Sequence, residues 1–378
     1  MRKYDIPESV IFFEKNIDLS TRLIQILNTY GHKDPLFICG ANSYRELGEK
    51  VFHQCKSVLN DSEIIIAPEI NKELIANDLA QEYLKSQSPI VGIGGGRILD
   101  FAKYISFKTD RPFISIPSNA AHDGIFSPIS VIAGFSLGSK MPDYLMISLN
   151  TLEKAPLISI QAGIGDLIAN FTAINDCYIS EAFKDKDRKA EIGDCEHSHE
   201  VLNQEAINLA YQGSIELIDL IYATQANDEI VTKFTESRLD LLRSSSFLRQ
   251  FIKSLVLSGM AMYYANNSSP CSGSEHMISH AIDAIYGHGV KAAHGVQVAV
   301  ASYFIYPQQL EILKKINQTP ERIINFEELF TLLKLPKSFQ EIGVSSKELD
   351  YVLKLAPKTR ANKFSILNLK DDRLKISN

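Results

Sequence analysis

Positive charge is in short supply in this chain. Its 39 Lys and Arg stand against 45 Asp and Glu, a formal net charge of -6, so no surplus of cations exists to displace counterions from a polyphosphate backbone, and nucleic acid is excluded as the expected partner. Cysteine is sparse as well. The five, Cys39, Cys55, Cys177, Cys195 and Cys271, are scattered and never form a Cys-x-x-Cys pair, which argues against a disulfide framework or a zinc ribbon and fits a reducing cytoplasm. The opening residues MRKYDIPESV contain no apolar stretch, so no cleaved signal peptide is expected. Long apolar runs are also missing. The longest uncharged stretches, Ser254 to Ser274 and Ala292 to Leu310, carry Asn266, Asn267 and Pro270, and Gln297, Pro307 and Gln308, which a membrane-spanning helix would have to desolvate. There are no internal repeats and no Pro-rich or Ser-rich linkers, so two folded parts are expected to pack directly, with a cleft between them.

What is present reads as a globular chain. At 378 residues, and roughly 150 per domain, the length suits two domains or one large one. An apolar share of 45% with 19 Phe and 15 Tyr is enough for a substantial core. Up to about residue 150, short apolar runs bounded by Gly, Pro, Asn or Ser alternate with amphipathic segments such as Leu74 to Leu84. The runs predict strands at Val10 to Phe13, Leu36 to Gly40, Glu63 to Ala67, Ile90 to Ile93, Phe113 to Ile116 and Leu145 to Ser148. Such alternation implies a mostly parallel sheet covered on both faces. Beyond Asn150 the apolar spacing becomes three and four, as in Ile207, Ala210, Tyr211, Ile215 and Ile218, and predicts helices. Lys184 to Glu200, dense in charge, reads as a solvated loop or a frayed helix end.

Ile90-Val91-Gly92-Ile93-Gly94-Gly95-Gly96-Arg97 ends a predicted strand and opens a predicted helix. Glycines there let backbone N–H groups and a helix N-terminus approach a diphosphate, and the Arg97 guanidinium suits the same anion. A tight strand-to-helix turn without ligand is the plainer alternative. The turn follows the fourth strand rather than the first, so the residue reading the ribose has to come from an earlier strand end. Leu36 to Gly40 with Ala41-Asn42-Ser43 is the candidate. It carries no carboxylate to repel a 2'-phosphate, which leaves both NAD and NADP open.

Three polar islands interrupt the helical half: Gly163-Ile164-Gly165-Asp166, Glu275-His276-Met277-Ile278-Ser279-His280, and His294-Gly295-Val296-Gln297. One carboxylate with imidazoles suits a divalent ion and leaves a coordination position for substrate. His276 and His280 share a helix face, with Asp283 one turn on, so spacing alone allows either histidine to be the ligand and the other to touch substrate. A satisfied core histidine is the bland reading of any one of them. The run Cys195-Glu196-His197-Ser198-His199 is a rival cluster that would hold an ion loosely in a charged loop. After the fifth strand comes Pro117-Ser118-Asn119-Ala120-Ala121-His122-Asp123-Gly124, with Ser127 beyond. It presents hydroxyls and one carboxylate where a parallel sheet meets its ligand, and Asp123 either accepts from a substrate hydroxyl or closes an Asx-turn.

These residues together resemble the sn-glycerol-1-phosphate dehydrogenases, within the iron-containing alcohol dehydrogenase, glycerol dehydrogenase and dehydroquinate synthase group. The resemblance spans residues 8 to 310 or so. It rests on Gly94-Gly95-Gly96-Arg97-Ile98-Leu99-Asp100, His122-Asp123-Gly124, Gly165-Asp166-Leu167-Ile168-Ala169-Asn170, Ser272-Gly273-Ser274-Glu275-His276, Ser279-His280-Ala281 and His294-Gly295-x-Gln297. It implies an α/β N-terminal nucleotide-binding domain with a mostly parallel sheet over residues 1–150. An all-α C-terminal metal- and substrate-binding domain follows over 151–378, the dehydroquinate synthase-like arrangement. It further implies that Asp166, His276 and His294 hold one divalent metal, zinc ahead of nickel or iron, with Asn170 in place of a fourth ligand. His280 and Asp123 would contact substrate as catalytic residues, and Gly94, Gly95, Gly96, Arg97, Asp100, Ser118, Asn119, Ala121 and Ser127 would hold NAD or NADP. The implied reaction is NAD(P)H-dependent reduction of dihydroxyacetone phosphate to sn-glycerol 1-phosphate, a precursor of membrane ether lipids, in a cytoplasmic homo-oligomer. A glycerol dehydrogenase acting on unphosphorylated glycerol is the alternative. Arg97 in place of Lys, Ser118-Asn119-Ala120-Ala121 in place of a Thr-Ala-Ala-Ser pattern and Val296 in place of Glu are the departures.

Overall fold

A computed structural model describes residues 3–31, 34–67, 73–82, 84, 86–132, 135–183, 202–226 and 237–369 of the chain. The first half runs β1 (Val10–Phe13), α1 (Asn16–Thr29), β2 (Leu36–Cys39), a helical stretch that includes α2 (Ala41–Ser43) and α3 (Glu49–Lys56), and then β3 (Glu63–Ile66) and α4 (Glu73–Glu82). It continues with β4 (Ile90–Gly94), α5 (Gly96–Thr109), β5 (Phe113–Pro117), a two-stranded ribbon β6 (Ile129–Ile132) and β7 (Phe135–Gly138), and β8 (Tyr144–Ser148). Six strands form one all-parallel sheet in the order β1-β8-β5-β4-β2-β3. All six predicted strands are therefore present, with ends shifted by a residue at most. The antiparallel ribbon β6-β7 stands outside the sheet and has no counterpart in the sequence reading.

Alternation along the strands explains why helices cover both faces. Phe37, Cys39, Val91, Ile93, Ile114 and Ile116 point into one core with Leu23, Leu27 and Val51, while Leu36, Ile38, Ile90 and Phe113 point into another with Phe101 and Ile105. From β2 the chain steps outward to β3 on one side and returns to β4 on the other before moving on to β5. The carboxyl ends of β2 and β4 thus flank the switch in direction where open α/β sheets receive ligands.

The second half is helical: α6 (Leu149–Glu153), α7 (Leu157–Ala182), α8 (Gln204–Ala226), α9 (Ser237–Leu241), α10 (Ser245–Ala265), α11 (Ser274–Tyr286), α12 (His294–Lys315), α13 (Phe326–Leu333) and α14 (Ser346–Thr359). Helix α7 is the axis of this half. It is long and apolar enough to cross a membrane by length and composition, but 89% of its most apolar 18-residue window is buried inside the protein, as expected for a helix apolar all round. One continuous core joins Val10, Leu99, Phe126 and Leu145 of the first half to Ile164, Leu167, Phe251 and Leu255 of the second. The two halves therefore pack directly, as the absence of a linker predicted. Cys195, His197 and His199, and the segment 184–200 around them, lie outside the described residues.

Candidate functional site

Backbone contact between helices creates the centre of the site. A Cβ on Gly165 of α7 would sit 2.3 Å from the Gly295 carbonyl oxygen, and one on Gly295 of α12 would sit 1.9 Å from that of Ala162. Only glycine at both places lets α7 and α12 touch, and the residues next to these glycines are Asp166 and His294. Helix α11 supplies the third side chain. Among the described residues, Asp166, His276 and His294 bring one potential ligand atom each to within 4.8 Å of one another. Gly295→Ala is expected to lower stability by about 1–3 kcal/mol, as overpacking does, and to spread this triad. Thermal unfolding and metal content, measured together, check it.

Neighbouring groups fix each ring. Glu275 Oε1 lies 2.8 Å from His276 Nδ1, which leaves Nε2 facing Asp166 Oδ1 at 3.3 Å. Glu275 is fully buried and is itself held by the Thr172 hydroxyl at 2.9 Å and the Gly273 N–H. The Ser279 hydroxyl lies 3.0 Å from His294 Nδ1 and donates to Gln297 Oε1, and the Gln297 amide donates to Asp283. The second carboxylate oxygen of Asp166 accepts the Asp123 N–H at 3.0 Å. A carboxylate behind one imidazole and a hydroxyl behind the other is the usual support of metal-ligating histidines.

The electrostatics favour a cation. Burial opposes charge on His276, yet hydrogen bonds to Asp166 and Glu275 outweigh it and hold the ring above its ordinary range. Burial also opposes charge on Asp166, and its hydrogen bond with His276 nevertheless keeps the carboxyl low. Burial, with His276 alongside, pushes His294 down to about 3, so its ring is neutral and offers a lone pair. Burial and the charge of Asp166 push Asp123 up to about 8, and Asp123 accepts a hydrogen bond from Ser258 at 2.8 Å. His280, whose ring centroid is 5.9 Å from that of His294, is held well below the ordinary histidine range by burial and by the Arg360 guanidinium.

Asn170 faces elsewhere. Its amide donates to Ser214 and Ser258, tying α7 to α8 and α10.

The glycine turn faces this triad across the loop that follows β5. Gly94 and Pro117 are register partners, and the Ser118 N–H donates to the Gly94 carbonyl at 2.9 Å. Helix α5 starts at Gly96 with no side-chain cap, which leaves N–H groups of its first turn to an outside acceptor. A Cβ on Gly95 would meet Asn119 at 2.7 Å and one on Gly96 would overlap His122 Nε2 at 1.7 Å, so packing against the loop requires both glycines. Arg97 is exposed on the first turn and Ala121 is half-buried. At the end of β2, Ser43 is buried and donates to the Ile93 carbonyl, while exposed Arg45 donates to Asn42. The end of β2 thus carries the pair Asn42 and Arg45 on its exposed side.

Of the residues expected at the cofactor, Asp100 and Ser127 are buried, 3% and 1% exposed. Asp100 pairs at 3.4 Å with Lys103, itself fully buried, and the Ser127 hydroxyl is directed at the Ile129 carbonyl. The reason is local. Lys103 lies one helical turn after Asp100, so the pair forms inside α5, and Lys103 also donates to the carbonyls of Gly124 at 2.8 Å and Ser127 at 3.1 Å. Glu275 and Ser279 stand inside the sequence motifs without a role assigned to them there, and Lys103, Ser258 and Arg360 lie outside those motifs; the i,i+3 spacing from Asp100 is the signal for Lys103.

Residues 16–156 match the iron-containing alcohol dehydrogenase family. The glycerol-1-phosphate dehydrogenase [NAD(P)+] of Methanococcus maripaludis strain C6 is 30% identical over 323 residues, 85% of this chain and 82% of that protein. The chain belongs to the glycerol-1-phosphate dehydrogenase family. Another member, from Caldivirga maquilingensis, is 27% identical over 96% of this chain and 92% of its own length. The fold of this family member is similar to that of glycerol dehydrogenase from Schizosaccharomyces pombe, with a TM-score of 0.69 at 16% identity, covering 98% of this chain and 87% of that one. Membership makes the protein an oxidoreductase.

Proposed function

We propose that the protein reduces dihydroxyacetone phosphate to sn-glycerol 1-phosphate with NADH or NADPH, at a divalent metal ion held by Asp166, His276 and His294. The observation that carries this reading is the convergence of one carboxylate and two oriented imidazoles within 4.8 Å, in a chain whose relatives are named for that product and for NAD(P)+. The donor set fits the ion. Three protein ligands, two of them nitrogens, suit zinc and leave room for a substrate oxygen, and nickel or iron would be accepted by the same donors.

When bound, the ion supplies Lewis acidity toward a carbonyl oxygen and the reduced nicotinamide supplies hydride. The remaining work belongs to the chain. Glu275 and Ser279 keep the two ligand rings in the orientation the ion needs, and Asp123 holds its backbone N–H on Asp166 while its carboxyl faces Ser258. The turn Gly94 to Gly96, Arg97, and Ser118 to Ala121 would bind the dinucleotide at the N-terminus of α5, in the part formed by residues 1–150, while residues 151–378 carry the metal. This division sets the nicotinamide against the substrate across the cleft. His280, one turn from His276 and neutral, would relay a proton taken up from solvent to the product oxygen rather than supply one of its own. In this reading the enzyme is cytoplasmic, and its product is the glycerophosphate backbone of membrane ether lipids.

The test is oxidation of NADH and of NADPH with dihydroxyacetone phosphate set beside dihydroxyacetone. Turnover confined to the phosphate ester is the expected result. Preference for the unphosphorylated ketone would instead make the protein a glycerol dehydrogenase.

A further inference from the structure

Resting on that reading, we infer that Arg360, assisted by Lys363, is the clamp for the substrate's phosphate group and so the residue that selects a phosphorylated ketone over a free one. Arg360 caps the end of α14, 66 residues beyond His294 in sequence, yet its guanidinium reaches His280 beside the triad. Nη2 donates to His280 Nε2 at 3.0 Å and to the Ser136 hydroxyl at 3.1 Å, and Nη1 donates to Ser272 at 2.6 Å and Ser268 at 3.2 Å. Lys363 donates to the Ser272 carbonyl, which brings a second cation to the same place. Three chain regions meet there: the β6-β7 ribbon through Ser136, the turn before α11 through Ser268 and Ser272, and the residues around the end of α14.

The hydrogen-bond partners of the Arg360 guanidinium include three hydroxyls and the His280 imidazole. Each hydroxyl can rotate to donate to an anion while the guanidinium offers paired N–H groups matched to phosphate oxygens. Position matters as much as chemistry. His280 touches Arg360 on one side and stacks near His294 on the other, so one side chain separates the guanidinium from the triad. A three-carbon ketone with phosphate on its terminal carbon needs that separation, because its carbonyl and phosphate are only a few bonds apart.

The experiment compares wild type, Arg360→Met and Arg360→Lys in the metal-replete protein. KM is measured for dihydroxyacetone phosphate and dihydroxyacetone, and inorganic phosphate is titrated against thermal unfolding. Loss of two charge-assisted hydrogen bonds predicts a KM for the phosphate ester raised about 100-fold or more in Arg360→Met. That increase should exceed any change for dihydroxyacetone by at least about tenfold, with an intermediate value in Arg360→Lys. Phosphate should raise the unfolding temperature of wild type and not that of Arg360→Met. If Arg360→Met fails to fold, Arg360→Lys gives the same comparison with a smaller shift. An unchanged KM for the phosphate ester, an equal loss for both ketones, or full phosphate stabilisation that survives in Arg360→Met overturns the inference. Should wild type reduce neither ketone, the proposed reaction fails, and the phosphate titration still decides the role of Arg360.

Discussion

Asp166→Ala is expected to yield a folded protein that carries no metal and turns over at least about 10³-fold more slowly. Asp166 is the one carboxylate of the triad, and its two oxygens face different partners, His276 Nε2 and the Asp123 N–H. Removing it leaves two imidazoles, too few donors to hold a divalent ion in a site that needs three. Loss of Lewis-acid stabilisation worth about 4 kcal/mol corresponds to roughly a thousandfold in rate. Glu275→Gln should be milder, because a partner behind a ligand usually contributes 10–100-fold in metal affinity, taken as an order of magnitude. Elemental analysis and kcat on the same samples check both. Asp166→Ala with bound metal and turnover within tenfold of wild type would sink the assignment.

Lys103→Met is expected to cost about 3–5 kcal/mol of stability, the cost of leaving a buried charge without its partner. Lys103 is wholly enclosed, and burial pulls its pKa below the ordinary lysine value despite Asp100 alongside. Its ammonium pairs with Asp100 and donates to the carbonyls of Gly124 and Ser127, so it pins the loop bearing His122 and Asp123 against α5. Methionine keeps much of the volume and removes all three interactions, which strands the Asp100 carboxylate. The double variant Lys103→Met with Asp100→Leu should recover part of the loss, since no charge is then left unpaired. Denaturant unfolding of the three proteins decides. A loss below about 1 kcal/mol in the single variant would mean that the pair is solvated in solution.

These two residues show where sequence is legible and where it is not. The six parallel strands could be read because a strand buried on both faces is a short apolar run between turn residues, and Leu36–Cys39 and Ile90–Gly94 are just that. The ribbon Ile129–Ile132 with Phe135–Gly138 is short and stands apart from the sheet, so no sustained periodicity marks it. Asp166 and His294 could be singled out because each follows or precedes a glycine in an apolar helix. The reason for those glycines, contact of α7 with the backbone of α12, appears only in three dimensions. The motif that singles out Asp100 does not reveal its pairing with the buried Lys103 one turn on. Arg360 meets His280 across 80 residues of chain, a contact that spacing cannot encode.

The most direct test of the account is metal titration of the chelated enzyme with dihydroxyacetone phosphate and reduced nicotinamide in excess. The account predicts that activity disappears on chelation and returns in proportion to added zinc, saturating at one equivalent per chain, while His276→Ala recovers none. Full turnover by the metal-free protein, or equal recovery by His276→Ala, would contradict it.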